Sequence, residues 1–396
     1  MQAYLDHAAT TPVSPAAREA MEPWLNGGSF GNPSGSHWAA RAARAAVDEA
    51  RDVVADALGT RPGDVVFTAG GTEAANLAVL GRLHAAPGPV AVSAIEHHCV
   101  INAALAAERS GLGTVRVVGV GKGGVIDLDA LAGALDKDVS LVSVQLVNNE
   151  VGTLQPLADV VRVVRRRAPR AVLHTDAVQA VGWYDVAELS AGAEMVSISA
   201  HKFGGPQGVG ALALGRPVAL SPIAFGGPQE RERRAGTHNV PGIVGMAAAL
   251  RWAMEHRASE GRRVRPLCDR LRAGLLQGVP GAQETAPGQD KAPGHCHLVV
   301  EGVESEALLM LLDDCGVAAS AGSACASGAM EPSHVLLAMG YSEAQAMGAL
   351  RLTLGHTSTA ADVEAALRAV PACVARLREA ASDDARAVAA TTGAPA

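Results

Sequence analysis

Six short apolar runs, separated by stretches of helical composition, constrain the fold of this chain more than any other feature. They are Val65–Ala69, Pro89–Ile95, Leu141–Val147, Ala171–Asp176, Met195–Ala200 and Gly208–Leu214. Each has the length of a strand, and most carry too little polar alternation to turn one face to water. Strands that read this way are buried on both faces, so a mostly parallel sheet covered by helices is expected. Helical patterns rich in Ala, Arg, Val and Leu, at about 37–58, 73–86, 99–109 and 157–167, supply the cover. A single long helix is expected at about 245–277, and short strands and helices follow the Pro/Gly-rich segment Val279–Gly294. The expected division is a large α/β domain over 15–258 and a smaller α+β domain from 1–14 and 259–380. Residues 381–396, rich in Ala, Thr, Gly and Pro without apolar periodicity, read as a disordered tail.

The 396 residues are 48% hydrophobic, ample for two or three cores. Lys and Arg total 33 against 40 Asp and Glu, with a net charge of -7 and no basic patch, which argues against a nucleic-acid partner. The opening Met1-Gln2-Ala3-Tyr4-Leu5-Asp6-His7 lacks the basic and apolar regions of a secretory signal, and no apolar stretch reaches membrane-spanning length. A cytoplasmic protein with no membrane partner is therefore expected. Its six cysteines (99, 268, 296, 315, 325 and 373) form no CxxC and no metal-ligand cluster with His, so free thiols and no metal are expected.

Three segments carry candidate chemistry, each at the end of an expected strand. In Ser197-Ile198-Ser199-Ala200-His201-Lys202-Phe203-Gly204-Gly205-Pro206, an amine follows a buried run. A lysine in an apolar site tends to shed its proton, and the neutral amine can attack an aldehyde to form a Schiff base. Alone, Lys202 could equally be the solvated last residue of a strand. Val65–Ala69 runs into Gly70-Gly71-Thr72-Glu73 and a helix, where free N–H groups and a hydroxyl can receive a phosphate, although an ordinary capped helix reads the same way. His174-Thr175-Asp176-Ala177-Val178-Gln179 sets a carboxylate at a strand end, either as a helix cap or as the partner of a protonated ring nitrogen. Together the three describe a site for pyridoxal 5'-phosphate: an anion cup, a carboxylate for the pyridinium and a lysine for the aldehyde.

Across nearly its whole length the sequence resembles the cysteine desulfurases of the fold-type I, class V aminotransferase superfamily, in their iron–sulfur type with a short catalytic Cys loop. The matching segments, in family order, begin with Tyr4-Leu5-Asp6-His7-Ala8-Ala9-Thr10-Thr11-Pro12, Gly31-Asn32-Pro33-Ser34, Thr68-Ala69-Gly70-Gly71-Thr72-Glu73 and Glu96-His97-His98. Asn148-Asn149-Glu150-Val151-Gly152, His201-Lys202, Arg234-Ala235-Gly236-Thr237, Gly322-Ser323-Ala324-Cys325-Ala326-Ser327 and Arg351-Leu352-Thr353-Leu354-Gly355 complete them. The resemblance implies that His97 stacks on the pyridine and assists proton transfer, that Gln179 bonds the ring hydroxyl, and that Thr72, Ser199 and His201 hold the phosphate. It implies that Thr237 reaches the phosphate of a neighbouring subunit in a homodimer, and that Asn149, itself at the cofactor, and Arg351 bind the substrate carboxylate. One departure is visible, since His7 stands where the family usually has Asn.

The stretch Ala318–Gly328 is nearly all Ala, Ser and Gly around Cys325, which suits a moving nucleophile better than core filler. Cys99, Cys268 and Cys373 lie among apolar neighbours in helical patterns and read as packing residues, whereas Cys296 and Cys315 are ambiguous. The implied reaction converts L-cysteine to L-alanine, with Lys202 moving the Cα proton and the Cys325 thiolate taking the sulfur as a persulfide for an acceptor protein, either a scaffold or a thiolation enzyme. The alternatives are another pyridoxal phosphate lyase or aminotransferase of this fold, such as a selenocysteine lyase, and a non-catalytic partner in sulfur assembly.

Overall fold

The computed structural model describes residues 2–215, 217–322 and 331–392, from 383 onward as backbone only. Two compact units divide the chain: the larger comprises 9–149 and 153–260, the smaller 2–8, 150–152 and residues from 261 on. Strand β1 (Ala3–Tyr4) belongs to the smaller unit. The larger holds β2 (Val65–Thr68), β3 (Val90–Ser93), β4 (Val115–Val118), β5 (Leu141–Ser143), β6 (Val172–Asp176), β7 (Met195–Ser199) and β8 (Gly210–Leu214). These form one sheet in the order β2-β8-β7-β6-β5-β3-β4. Every neighbouring pair is parallel except those made by β8, which runs antiparallel to β2 and β7.

All six apolar runs contain strands of this sheet. In β2, β3, β5, β6, β7 and β8 every residue is buried, as strands covered on both faces require. Around Val66, Val92, Leu141, Met195 and Leu212 a core packs in which Leu77, Leu83, Val100 and Ala104 come from helices. Each fully buried Leu or Val side chain contributes about 1.5–3 kcal/mol of apolar burial. The strand that composition did not mark, β4, is an edge strand interrupted by Arg116 and only partly buried, so it lacks the continuous apolar signal.

The register sets out the site. Thr68 of β2 and Ser199 of β7 both lie opposite Gly210 of β8, and Asp176 of β6 lies opposite Ser197. The ends of β2, β6 and β7 thereby gather at one edge of the sheet. Gly210 is required there, because a Cβ on it would stand 2.6 Å from the Ile198 oxygen and 2.8 Å from the Gly70 Cα.

In the smaller unit, β9 (Ala282–Glu284), β10 (His295–Val300) and the later strand β12 (Ala349–Thr353) form an antiparallel sheet, while β11 (Val317–Ala318) pairs in parallel with β1. Two differences from the expected layout have local causes. Residues 9–14 belong to the larger unit, where the Thr11 backbone N–H and hydroxyl both donate to the His201 oxygen at 2.8 Å. Residues 381–392 continue the helix Ala360–Thr392 instead of forming an irregular tail, since Ala and Arg favour helix even without an apolar stripe.

Candidate active site

The turn after β2 is built for close approach. Gly70 has φ 151°, a value L side chains rarely adopt, and Gly71 opens the helix Gly71–Asn76 with Glu73 in its first turn. A Cβ on Gly71 would stand 2.9 Å from Val178 Cγ2 and 3.3 Å from Ser199 Cβ, so the space beside Ser199 exists because the side chain is hydrogen. The turn is locked from both sides: Thr68 Oγ1 donates to the Gly70 oxygen at 3.0 Å, and Glu73 Oε2 accepts from the Ala69 N–H at 2.6 Å. Arg234 in turn holds Glu73 at 2.8 Å. The result is a cradle of backbone N–H groups with the buried Ser199 hydroxyl and the exposed Thr72, a donor set suited to an anion.

After β7 the chain makes one 3₁₀ turn, Ala200–Lys202. The turn is tied to the N-terminal segment: Lys202 Nζ donates to the Ala9 oxygen at 2.8 Å, and His201 Nδ1 lies 3.2 Å from Thr10 Oγ1. Burial, and then the charge of Lys202, lowers the His201 pKa to about 4, which keeps its imidazole neutral at pH 7.

Asp176 is buried, and Oδ1 accepts from the Val178 N–H at 2.9 Å, so its local bond is to a turn rather than to a helix. Burial raises its pKa from 3.8 to about 6, against that hydrogen bond and the charge of Lys202. The lysine and the carboxylate are thus close enough to sense one another. Beyond Asp176 lies Glu96, wholly buried, with Oε1 accepting from the Gln145 N–H at 2.5 Å. Burial, and next the charge of Asp176, pushes the Glu96 carboxyl well above 4.5, so Asp176 is the carboxyl of the two that ionises near neutrality.

His97 is exposed and caps the helix His98–Arg109, with Nδ1 accepting from the Cys99 N–H at 3.2 Å. An Nδ1 that accepts is unprotonated, so in the neutral ring the proton sits on Nε2. Cys99 Sγ lies 2.9 Å from the same nitrogen. Burial, with the charge of Asp176 adding to it, pushes that thiol up and keeps it an S–H. Cys99, expected only to pack, therefore touches the His97 ring. Gln179 is half-buried in the turn that Asp176 holds, Asn149 is half-buried after β5, and Thr237 is exposed.

In the smaller unit Arg351 lies on β12 opposite His297 of β10. It is buried and not a surface ion pair: Nη2 donates to Asp6 Oδ1 at 2.8 Å, while its backbone N–H donates to the Ser320 oxygen at 2.7 Å. His7 is buried among Tyr4, His356 and Ser358, with Nε2 3.2 Å from the Ser358 hydroxyl. Burial, and then the His356 charge, lowers its pKa to about 4. His7 is thus a neutral packing residue whose ring replaces the smaller amide of the usual Asn. Cys325 lies outside the described residues. Among the described residues no group of His, Cys, Asp and Glu has the makings of a metal site, and no helix is long and apolar enough to cross a membrane.

Comparison with known proteins places the chain in a family. Residues 3–366 match the family model for class-V aminotransferases. An IscS-like cysteine desulfurase of Mycobacterium tuberculosis is 44% identical over 389 residues, spanning 96% of this chain and 98% of that protein. The chain belongs to the cysteine desulfurases. The cysteine desulfurase IscS of Methanosarcina thermophila is 38% identical over 95% of this chain and 92% of its own length. Among solved structures, a NifS-like protein superposes with a TM-score of 0.87 at 32% identity, covering 95% of this chain and 100% of the other. This desulfurase is accordingly a fold-type I enzyme that acts on L-cysteine, in a family dependent on pyridoxal phosphate.

Three residues that shape the desulfurase are not among the candidate site residues of the sequence. Glu96 reads in sequence only as the polar start of Glu96-His97-His98, yet it is the buried neighbour of Asp176. Gly210 reads as a strand residue, yet it makes room for Gly70. The third is Glu230. Burial alone would raise its carboxyl, but hydrogen bonds from Arg51 (2.7 and 2.8 Å) and His238 (2.6 Å) hold it at about 2. Glu230, Arg231 and Glu232 all have positive φ (49°, 57° and 65°), so this ion pair fixes a strained stretch just ahead of Thr237.

Proposed function

We propose that this desulfurase holds pyridoxal 5'-phosphate through the larger unit and passes the sulfur of L-cysteine to Cys325. The donor set fits the group: a glycine cradle that a Cβ would fill, a buried hydroxyl, a neutral imidazole, and a buried carboxylate whose charge is costly without a cationic partner. The bound cofactor supplies an electrophilic carbon for amines and a protonated ring that accepts the electrons released at the substrate Cα.

Each residue then has one task. Thr72, Ser199 and His201 hold the phosphate, joined by Thr237 of a second copy of the chain. Asp176 would keep the ring nitrogen protonated, Gln179 would bond the ring hydroxyl, and His97, with its proton on Nε2, would pack against the ring. Lys202 Nζ would hold the aldehyde carbon of the bound group, and its amine would move the Cα proton. Asn149 lies at the cofactor and shares the substrate carboxylate with Arg351, whose planar fork suits that group. The Cys325 thiolate attacks the substrate sulfur, so that an S–S bond forms as the C–S bond breaks; the remaining carbon skeleton leaves as L-alanine after protonation. The enzyme acts in the cytoplasm as a homodimer and hands the persulfide sulfur to an acceptor protein.

The observation that supports this reading most is the placing of Lys202 within electrostatic reach of both Asp176 and His201. Cys325→Ser tests the sulfur step. Serine keeps the size, but its hydroxyl is scarcely ionised at neutral pH and cannot hold a persulfide. The variant should stay yellow and change its absorption with cysteine, yet release neither alanine nor sulfide. In the parent, mass spectrometry after cysteine treatment should find one added sulfur on the peptide bearing Cys325. Turnover of the serine variant at the parental rate would refute the assignment and favour a lyase that needs no enzyme thiol.

A further inference from the structure

Two cysteines outside the catalytic reading stand together in the smaller unit. Cys315 caps the C-terminus of the helix Ser305–Asp314, and Cys373 lies inside the helix Ala360–Thr392. Their Sγ atoms are 3.9 Å apart, in contact but unbonded, although 58 positions separate them in sequence. Cys315 is exposed and Cys373 is buried. No other described cysteine has this combination of a sulfur neighbour in contact and an open approach. Cys268 and Cys296 are both buried, and Cys99 sits against His97.

We propose that Cys315 and Cys373 form a redox-responsive pair that closes to a disulfide with low-molecular-weight disulfides. The geometry gives each sulfur a distinct role. Cys315 is the one a small oxidant can reach, so its thiolate attacks a sulfur of the oxidant RSSR, forming a Cys315–S–S–R bond and expelling one RS⁻. Cys373 then loses its proton and attacks the Cys315 sulfur, expelling the second RS⁻ and forming the intramolecular bond. Two protein thiols are oxidised by two electrons, one RSSR is reduced to two RSH, and the two thiol protons go to the leaving groups. Burial, and next the hydrogen bond with Cys315, raises the Cys373 thiol to about 11. It is therefore a poor first nucleophile and suits the resolving role, in which the target sulfur is already at contact distance.

Closure is geometrically accessible. The sulfurs must approach from 3.9 Å to a bonded separation of about 2.05 Å. Cys315, exposed at the C-terminal cap of a helix, is the end from which the approach can be made. The bond would tie the chain just before β11 to the helix Ala360–Thr392.

The experiment treats the holoenzyme with oxidised glutathione, blocks remaining thiols, and maps peptides without reduction. The expected result is a linked pair of peptides bearing Cys315 and Cys373, lighter by two hydrogens than the separate peptides and released by dithiothreitol. Cys373→Ser, which cannot resolve, should instead trap a stable glutathione adduct on Cys315. Cys315→Ser should leave Cys373 unmodified over the same period. Cys315 is exposed and lies outside the proposed catalytic set, so both serine variants can be checked against parental turnover in reducing buffer. A parent enzyme that accumulates only the glutathione adduct on Cys315, or whose Cys373 stays free after complete Cys315 modification, would overturn the proposal. So would Cys373 reacting as fast in Cys315→Ser as in the parent.

Discussion

Asp176 offers a test in which stability and cofactor binding move in opposite directions. Asn at this position keeps an oxygen to accept from the Val178 N–H, so Asp176→Asn removes the charge and little else. In the cofactor-free protein the folded pKa of about 6 lies above the ordinary 3.8. Between these two values the unfolded chain has lost its proton while the folded chain retains it, so stability falls as pH rises through this window. A shift of about two units corresponds to about 3 kcal/mol, fully expressed above pH 6 and absent below about pH 4. The cofactor-free Asp176→Asn protein should therefore match the parent in denaturant unfolding at pH 4 and exceed it by about 3 kcal/mol at pH 7.

Binding should respond in the opposite sense. An ionised Asp176 about 4 Å from a protonated ring nitrogen gains about 4 kcal/mol at an effective dielectric of about 20, so the Asn variant should bind pyridoxal phosphate up to about 1000-fold more weakly at pH 7. Fluorescence titration of the cofactor-free protein measures this directly. If the parent and variant unfold alike across pH 4 to 7, no buried charge is being carried at Asp176. If the variant is more stable but binds the cofactor as tightly as the parent, another group holds the ring nitrogen.

Other perturbations test separate parts of the same site. Gly71→Ala places a methyl 2.9 Å from Val178 Cγ2, an overpacking worth about 1–3 kcal/mol, and should weaken cofactor binding by about 10-fold while Asp176 and Lys202 stay in place; unchanged affinity would mean the cradle is not used. Glu230→Gln breaks the buried pair with Arg51 and should cost about 3 kcal/mol. Because the Glu230 carboxyl is held at about 2, that contribution is present above about pH 4.5 and fades as pH falls toward 2, so parent and variant unfolding should converge in acid. Mixed dimers carrying Lys202→Ala on one chain and Thr237→Ala on the other should place both lesions in one site and leave the second intact; two equally impaired sites would refute the sharing of Thr237.

The sheet was legible in the sequence because strands buried on both faces leave continuous apolar runs, as in Val172–Asp176 and Met195–Ser199. The edge strand Val115–Val118 was not, since it is half-solvated and broken by Arg116. Lys202, Asp176 and the Gly70-Gly71 turn were legible for a related reason: each interrupts an apolar run with a group that burial makes costly or a residue that space makes necessary. Glu96 and Gly210 escaped because their meaning depends on partners across the sheet: the Asp176 charge for one, the Gly70 backbone for the other. Glu230 escaped because a Glu between Gly226-Gly227 and Arg233-Arg234 reads as solvated, and only the fold brings Arg51 to it.

The charge states around Lys202 explain why these residue types suit one another. His201 is held neutral by burial and by the Lys202 ammonium, and Glu96 is held neutral by burial and by Asp176. That leaves Asp176 as the acidic group poised near neutrality, with the Val178 hydrogen bond and the Lys202 charge offsetting only part of the cost of ionising it. On the proposed function, an aldehyde held by Lys202 would remove the positive field that lowers the His201 pKa, and a phosphate in the Gly70-Gly71 cradle would add a negative one. Both changes would raise the His201 pKa and favour an imidazole that donates to the anion. Asp176 would then exchange the charge of Lys202 for that of a protonated ring nitrogen. On that reading, a phosphate, an aldehyde and a protonated ring would together supply the charges that burial withholds from His201 and Asp176.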